Sequence, residues 1–173
     1  MSVKIRASVD GDIAAVTAIY AHHVEHGVAS FELAAPDEAE MARRRESALA
    51  AGLPYLIAEV DGLVAGFASA GPYRARPAYE RTLENTVYVD AALHGRGIGG
   101  VLLSALIEAC TALGYRQMIA VVGDSDNTAS IRLHESHGFE RAGLLRSVGF
   151  KHGRWLDSVF LQRSLGDGDE NLP

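Results

Sequence analysis

The sequence lacks the features that mark several classes of protein. One cysteine, Cys110, occurs among 173 residues, which excludes an internal disulfide framework and a cysteine-rich zinc site. The longest largely apolar stretch, residues 97–107, is far shorter than the roughly 20 residues that span a bilayer. Residues 1–10 also lack the apolar core of a signal peptide. We therefore expect a globular, cytoplasmic protein with no membrane partner.

Basic residues and metal ligands are also in short supply. Lys and Arg number 16 against 22 Asp and Glu, which gives a formal net charge of −6. A general nucleic-acid-binding protein carries a basic surplus, so we expect no nucleic-acid partner. His22 and His26 stand at a spacing that can hold zinc, but no third ligand lies near them in the sequence. We predict no metal site.

The length favours one domain. At this size a chain buries roughly 70% of its unfolded surface, which is enough to fold without disulfides or a structural metal. No repeat or linker divides the sequence. We predict a single domain over residues 1–165, followed by an acidic, flexible tail over residues 166–173.

Hydrophobic periodicity and turn signals predict a mixed α/β fold with helices on the faces of a sheet. A short strand precedes a helix that Asp10 caps and Gly27 ends, and Pro36 opens a second helix. Asp61 and Gly62 form a strong two-residue hairpin turn. The predicted strands are 4–7, 55–60, 63–70, 82–89, 117–122, 144–150 and 155–165. A third helix follows the glycine-rich turn at 95–100, and a fourth spans residues 127–137.

The glycine-rich turn, Gly95-Arg96-Gly97-Ile98-Gly99-Gly100, follows a predicted strand and opens a helix. Glycines let a phosphate approach the backbone, where free N–H groups and the positive helix end hold its charge. An ordinary tight turn does not need four glycines in six residues, because each one costs backbone entropy. The turn also matches G-x-G-x-x-G of dinucleotide-binding proteins, and Asp124 follows it at about the sequence distance of the acidic residue that binds the ribose in those proteins. Too few βα units follow it for a doubly wound sheet.

The same turn resembles more closely the acyl-CoA pyrophosphate loop of the GNAT superfamily of N-acetyltransferases, R/Q-x-x-G-x-G/A between a strand and a helix. The match runs from His94 to Gly99, with His94 in place of the usual Arg or Gln. Residues 127–130 (NTAS) and 133–139 (LHESHGF) resemble the family segments that follow. The resemblance extends from about residue 5 to residue 165.

Three segments narrow the resemblance to the phosphinothricin N-acetyltransferase family, which includes methionine sulfone and methionine sulfoximine acetyltransferases. They are residues 84–89 (ENTVYV), 132–135 (RLHE) and 149–155 (GFKHGRW). The resemblance implies the GNAT fold, with a mostly antiparallel twisted sheet that is splayed at the strand ending near Val89 and flanked by helices. It also implies transfer of an acetyl group from acetyl-CoA to the α-amine of a small amino acid of the phosphinothricin, methionine sulfoximine or methionine sulfone type.

The implied reaction requires a general base, because only the neutral amine attacks a thioester. Glu84 stands where the family places its acid, and burial would raise its pKa toward neutrality, where a base works best. A solvated Glu at a strand edge is the plainer alternative. His134 takes the place of a Tyr that protonates the leaving thiolate in many GNAT enzymes, and it suits an acid, a relay or a packing role. Tyr88 is a second candidate acid, although sheet packing explains it better. Whether the base acts directly or through water is left open.

The resemblance also assigns binding residues. Backbone N–H groups of the splayed strand would stabilise the negative charge on the thioester oxygen, and Asn127 would cap its helix, bind the pantetheine arm, or both. The predicted acetyl-CoA-binding residues are Val87, Tyr88, Val89, Gly95, Arg96, Gly97, Ile98, Gly99, Gly100 and Asn127. Arginine binds a carboxylate bidentately, and the predicted substrate-binding residues are Phe31, Arg74, Arg76, Glu84, Asn85 and Thr86.

Residues 149–155 combine aromatic and basic side chains. A plain hairpin turn needs only a polar residue and a glycine. Trp and Arg are enriched at interfaces, and members of the resembled family are dimeric. We predict a homodimer whose amine pocket is completed near this turn. The plainer alternative is that Trp155 covers the core and Lys151 is solvated. Two other functions stay open, a peptide or protein N-terminal acetyltransferase with an open groove and a non-catalytic acyl-CoA sensor.

Overall fold

The computed structural model describes residues 2–172; Met1 and Pro173, the outer ends of the predicted domain and tail, lie outside the described residues. The strands are β1 (Lys4–Ala7), β2 (Tyr55–Val60), β3 (Leu63–Pro72), β4 (Thr82–Val89), β5 (Gln117–Gly123), β6 (Glu140–Lys151) and β7 (Arg154–Ser164). The helices are α1 (Ile13–His26), α2 (Glu38–Ala50), α3 (Ile98–Ala112) and α4 (Thr128–Glu135). Within residues 2–172, no helix has the length and apolar character needed to cross a membrane.

The strands form one mixed sheet in the order β1-β2-β3-β4-β5-β7-β6. Neighbouring strands are antiparallel except for β4 and β5, which run parallel. The β4–β5 register begins at Thr82 and Gln117 and stops at Glu84 and Ile119, although β4 continues to Val89. The two strands therefore diverge beyond Glu84, which confirms the predicted splayed sheet.

Each face of the sheet has its own hydrophobic core, because strand side chains alternate between the two faces. On one face, α1 and α2 pack on the sheet through Val16, Tyr20 and Met41, which meet Ile57 and Phe67. On the other face, α3 buries a continuous apolar stripe. The stripe consists of Ile98, Leu102, Leu103, Leu106, Ile107 and Cys110. The predicted arrangement of helices flanking a mostly antiparallel sheet is confirmed.

Several element ends differ from the sequence-based prediction. Asp10 does not cap α1; Asp12 accepts a hydrogen bond from the backbone N–H of Val9 at 2.8 Å and is fixed by Arg6, so a 3-10 turn precedes the helix. In α2, Asp37 caps the helix by accepting from the N–H of Glu40 at 2.8 Å, so the helix begins after Pro36 rather than at it.

In the last strand pair, β6 is longer than predicted, and β7 (Arg154–Ser164) is shifted by one residue from the predicted 155–165. β6 starts at Glu140 rather than at residue 144 and pairs with β7 through two register shifts, while α4 ends at Glu135 rather than at residue 137. β6 is longer because pairing with β7 extends it beyond its apolar pattern. α4 ends earlier because the N–H groups of His137 and Gly138 donate three residues back, to His134 and Glu135, in a tighter turn.

Part of the predicted tail contacts the domain. Arg116 Nη2 donates to Asn171 Oδ1 at 2.7 Å, and Arg116 Nη1 lies 3.7 Å from a carboxylate oxygen of Asp167. The bounds of the domain and the flexibility of the tail stay predictions.

Candidate active site

A cavity of about 320 Å³ opens where β4 and β5 diverge. Adjacent residues of a strand point to opposite faces, yet the gap between the strands exposes both sets of side chains to one space. The lining comes from α1, the α1–α2 loop, β4, β5, α4 and β7. It comprises Tyr20, Ala29, Ser30, Phe31, Glu84, Asn85, Thr86, Val87, Tyr88, Val121, Val122, Gly123, Asn127, Ser130, His134 and Ser158.

Glu84 stands at the point of divergence, the last β4 residue in register with β5. Its side chain is half-buried, and burial raises the pKa of its carboxyl, while the positive charge of Arg74 opposes that rise. A carboxylate held at a raised pKa at the mouth of a gap in a sheet suits a general base better than a solvated strand-edge residue. The geometry therefore favours the functional interpretation of Glu84.

His134, from α4, is 5% exposed and faces the cavity from the α3 side of the sheet. Its Nδ1 lies 2.8 Å from the carbonyl oxygen of Ser130, and its Nε2 lies 3.1 Å from the side-chain amide of Asn85. Because a carbonyl only accepts, Nδ1 carries a proton and donates to Ser130. Burial lowers the pKa of His134, which favours the neutral ring.

Tyr88 packs within the aromatic cluster on the α1 side, as the packing interpretation predicts. Its ring lies 4.9 Å from Tyr20, 5.7 Å from Phe67 and 5.2 Å from His23, measured between centroids. Burial raises the pKa of Tyr88 well above its ordinary value. Its hydroxyl therefore stays protonated, and its ring also lines the cavity.

The glycine-rich turn divides into two parts with different surroundings. Gly95 and Gly97 adopt φ angles of 74° and 80°, and a Cβ at either position would meet nothing within 4 Å. They supply the left-handed backbone that L side chains disfavour, beside open space at the start of α3. Gly99 and Gly100 instead face α4, where an added Cβ would lie 3.3 Å from Leu133 and 3.4 Å from His137.

The end of β4 is held by two imidazoles, one of which is His94, the residue in place of the usual Arg or Gln of the motif. The Val89 carbonyl oxygen lies 2.8 Å from Nε2 of His23 and 3.1 Å from Nε2 of His94. Asn127 caps α4 by accepting from the N–H of Ser130 at 3.3 Å and also lines the cavity. The capping role of Asn127 is therefore confirmed, and its role toward pantetheine stays a prediction.

The structure separates the predicted substrate-binding residues into two groups. Phe31, Glu84, Asn85 and Thr86 line the cavity, whereas Arg74 and Arg76 line a second surface cavity with Ala75 and Tyr79. Arg74 stacks 5.1 Å from the centroid of Tyr73 and is close enough for its charge to act on Glu84. Arg74 therefore lies near the cavity, whereas Arg76 has no contact with the described residues of the cavity lining.

Sequence reasoning missed the polar cluster that holds the α1–α2 loop (residues 27–37). The Tyr20 hydroxyl lies 3.0 Å from Ser30 Oγ and donates to Glu32 at 2.8 Å, and Arg44 pairs with Glu32 at 2.7 Å. These residues lie in three different segments, and no local motif joins them.

The plainer interpretations of residues 149–155 are wrong. Lys151 is buried at 4% exposure because its ammonium donates into the protein, to the carbonyl oxygen of Ser30. Trp155 is 64% exposed, so it does not cover the core; its ring lies 5.2 Å from that of Phe150.

Metal ligation gains no support within residues 2–172, where no group of three or more His, Cys, Asp or Glu side chains comes together. His22 and His26 stack on each other with centroids 4.7 Å apart, and His23 turns to Val89. His22 also lies edge-on to His23, with centroids 5.8 Å apart, so the three imidazoles make aromatic and backbone contacts.

Residues 10–139 match the acetyltransferase (GNAT) family. The chain belongs to that family and is an N-acetyltransferase. It is 53% identical over 169 residues to a phosphinothricin N-acetyltransferase of Alcaligenes faecalis, with 98% of this chain and 86% of the relative covered. It is 39% identical over 165 residues to an L-methionine sulfoximine/L-methionine sulfone acetyltransferase of Salmonella typhimurium, with 95% and 96% covered.

Solved structures agree with this assignment. A crystal structure of a GNAT superfamily phosphinothricin acetyltransferase from Sinorhizobium meliloti in complex with AcCoA superposes with a TM-score of 0.97 at 45% identity, covering 100% of this chain and 94% of that one. A ribosomal-protein-alanine N-acetyltransferase from Brucella melitensis superposes with a TM-score of 0.91 at 39% identity, covering 94% and 99%.

Proposed function

We propose that this enzyme transfers the acetyl group of acetyl-CoA to the α-amine of a small amino acid or analogue of the phosphinothricin, methionine sulfoximine or methionine sulfone type. The observation that carries the proposal is that Glu84 and His134 line the same cavity, at the point where β4 and β5 diverge. The similarity to enzymes named for these substrates supports the substrate class. The cavity volume of about 320 Å³ suits a small acceptor.

The residues present fit acetyl-CoA as the acyl donor. The left-handed Gly95 and Gly97 leave open space at the N-terminus of α3, where backbone N–H groups and the positive helix end favour a pyrophosphate. Arg96 is exposed in the same turn and adds positive charge. Gly99 and Gly100 serve this site indirectly, because they let α4 pack closely against the start of α3.

Glu84 removes a proton from the substrate ammonium or from the attacking amine, directly or through a water molecule. Its raised pKa makes it a stronger base than an ordinary carboxylate. Beyond Glu84 the edge of β4 that faces β5 leaves the ladder, so its backbone is free to face the reacting thioester. Those N–H groups of residues 87–89 that face this gap stabilise the negative charge that develops on the thioester oxygen.

His134 acts as a proton relay near the leaving thiolate. With its Nδ1 proton committed to Ser130, the neutral ring carries its lone pair on Nε2, which faces the side chain of Asn85 in the cavity lining. His134 therefore accepts a proton released from the attacking nitrogen and passes it to the leaving thiolate, so that free thiol forms and the ring ends neutral, rather than starting as an acid. Arg74, whose charge acts on Glu84, and Arg76 in the same loop attract and orient the carboxylate of the amino acid.

The enzyme works as a homodimer through the edge strand β6. β6 is exposed along nearly its whole length and ends the sheet, and long exposed apolar edges favour pairing with another chain. The exposed apolar side chains of β6 and the start of β7 are Leu144, Leu145, Val148, Phe150 and Trp155, each between 44% and 64% exposed. A second copy of the chain covers this surface in the proposed dimer.

The enzyme is further proposed to act in the cytoplasm, where the unpaired thiol of Cys110 remains reduced. Cell fractionation with an antibody against the chain tests this location, and recovery with the periplasmic or membrane fraction would contradict it.

Release of free thiol from acetyl-CoA, measured across a panel of amines, tests the proposed function. The panel contains phosphinothricin, methionine sulfoximine, methionine sulfone, their N-acetylated forms as blocked controls, and a peptide that begins with Ala. We expect thiol release with the free amino acids and none with the blocked forms. A preference for the peptide would favour the second candidate, an N-terminal acetyltransferase, to which the Brucella melitensis structure lends support. Binding of acetyl-CoA without thiol release would indicate a sensor.

A further inference from the structure

Lys151 is a buried charged residue for which the proposed mechanism has no use. It lies at the end of β6 and is 4% exposed. Its Nζ donates to the carbonyl oxygen of Ser30 at 2.8 Å, across 121 residues of sequence. Burying an ammonium group is costly, and burial accordingly lowers the pKa of Lys151, while the charge of Glu32 opposes that shift. A buried lysine therefore indicates a role that requires its ammonium group and that an apolar side chain could not fill.

The partner of Lys151 belongs to the loop that forms one wall of the cavity. Ala29, Ser30 and Phe31 of the α1–α2 loop all line the cavity. The side chain of Ser30 is already hydrogen-bonded to Tyr20, so its backbone carbonyl is the group that accepts from β6. His152 adds a second contact from the same turn, with its Nε2 3.3 Å from the carbonyl oxygen of Gly27.

The side chain of Phe31 shows how closely the α1–α2 loop packs against β5 and β6. A Cβ at Gly149 would lie 2.5 Å from the Phe31 ring, and one at Gly123 would lie 2.9 Å from it. Because real Cβ atoms essentially never come so close, both glycines are needed for the ring to lie against β5 and β6. Gly149 and Lys151 thus act from one strand on two consecutive loop residues.

We propose that Lys151 is a positioning residue for the amine substrate: from β6 its ammonium holds the α1–α2 loop at Ser30 and thereby fixes Phe31 as a wall of the cavity. This inference rests on the proposed function for the identity of the amine. It differs from a direct contact between Lys151 and the substrate carboxylate, because Nζ points to Ser30 and not into the cavity.

The variant Lys151→Met keeps the length of the side chain and removes the ammonium. We expect the KM for the amine to rise about tenfold, the scale of losing one hydrogen bond to a charged group, with kcat and the KM for acetyl-CoA within about twofold of the parent. Lys4→Met is the matched control, since Lys4 is the only other lysine of the sequence and is exposed on β1. It should change none of the three constants.

Gly149→Ala tests the position of the loop without touching a charge. Its added methyl group collides with Phe31, so we expect the same rise in the KM for the amine. If Lys151 acted on the substrate by charge alone, Lys151→Met would raise that KM and Gly149→Ala would not, which would overturn the proposal.

Hydrogen exchange of the peptide that covers residues 27–35, measured without substrate, provides a readout that needs no turnover. We expect faster exchange in Lys151→Met than in Lys4→Met or the parent. Unchanged exchange, or faster exchange with an unchanged KM for the amine, would overturn the inference. Failure of the parent to acetylate any amino acid of the panel would instead contradict the proposed function, and the KM comparison would then use the amine that is acetylated.

Discussion

The side-chain amide of Asn85 meets Nε2 of His134 at 3.1 Å, on the opposite face of β4 from Glu84. With the amide oxygen toward the ring, Nε2 must donate, while the buried Nδ2 of Asn85 has no hydrogen-bond partner among the described residues. Since Nδ1 already donates to Ser130, that arrangement requires an imidazolium. Burial opposes the charged ring. Turning the amide by 180° lets Nδ2 donate to Nε2 of a neutral His134 and gives both nitrogens a hydrogen-bond partner.

Asn85→Asp replaces that donor by a carboxylate and should raise the pKa of His134, because a nearby negative charge stabilises the imidazolium. The measurement is a ¹⁵N NMR titration of the histidine rings, in which the signal of His134 is the one that His134→Gln removes. Asn171→Asp, in the exposed tail, is the control and should leave the titration unchanged. An unchanged midpoint for His134 in Asn85→Asp would show that the two groups are not coupled.

Replacing Glu84 by Gln keeps the shape of the side chain and removes its basicity. We expect kcat/KM at pH 7 to fall by about two orders of magnitude or more, the usual scale for losing a general base. The loss should shrink at high pH, where the amine is deprotonated without help. Steady-state kinetics of thiol release measures both effects, with Glu80→Gln in the preceding exposed loop as the control. Activity within about twofold of the parent at pH 7 would exclude Glu84 as the base.

Arg74 should set the pH range in which that base works. Its positive charge lowers the pKa of Glu84, against the larger effect of burial, which raises it. Arg74→Gln removes the lowering charge, so the pKa of Glu84 rises. Because the base acts only when deprotonated, the acid limb of the kcat/KM profile should move to higher pH. Arg43→Gln, on the exposed side of α2, should leave the limb in place, and a limb that stays in place or moves to lower pH in Arg74→Gln would contradict the assignment.

The glycine-rich turn allows a test in which backbone strain is held constant. Gly97 and Gly62 both adopt a φ of 80°, and a Cβ added at either would meet nothing within 4 Å, but Gly62 lies in the β2–β3 hairpin. Valine is equally strained at both. We expect Gly97→Val to raise the KM for acetyl-CoA about tenfold or more, as expected when a hydrogen-bonded charge is displaced, with the KM for the amine nearly constant. Gly62→Val should leave both constants unchanged. Normal acetyl-CoA affinity in Gly97→Val would falsify the pyrophosphate assignment.

Local sequence signals predicted the elements that are set by neighbouring residues. The Asp61–Gly62 hairpin and the turn before α3 follow from glycines at positions of positive φ, and Asn127 follows from the preference for a helix cap. The resemblance supplied Glu84 and His134, and the structure places both in the cavity.

The residues that support the site were not predictable in the same way. Lys151 and Ser30 meet across 121 residues, and Phe31 fits against Gly123 and Gly149 from two different strands. Such contacts depend on how the edge of the sheet and the α1–α2 loop come together in space. No periodicity or spacing records them, and a lysine beside a hairpin turn has the pattern of a solvated residue.

The exposed face of β6 leads to the last prediction, that the enzyme is a dimer which a charge at the centre of this face disrupts. Val148 is 53% exposed on the edge strand, and an Asp there would place a desolvated carboxylate in an apolar interface. Light scattering at micromolar concentration should give twice the 18.4 kDa chain mass for the parent and a single chain mass for Val148→Asp. Leu63→Asp is the matched control, because Leu63 is 74% exposed in the β2–β3 hairpin, away from β6, and the variant should remain dimeric. A monomeric parent would contradict the dimer, and a dimeric Val148→Asp would show that β6 is not its interface.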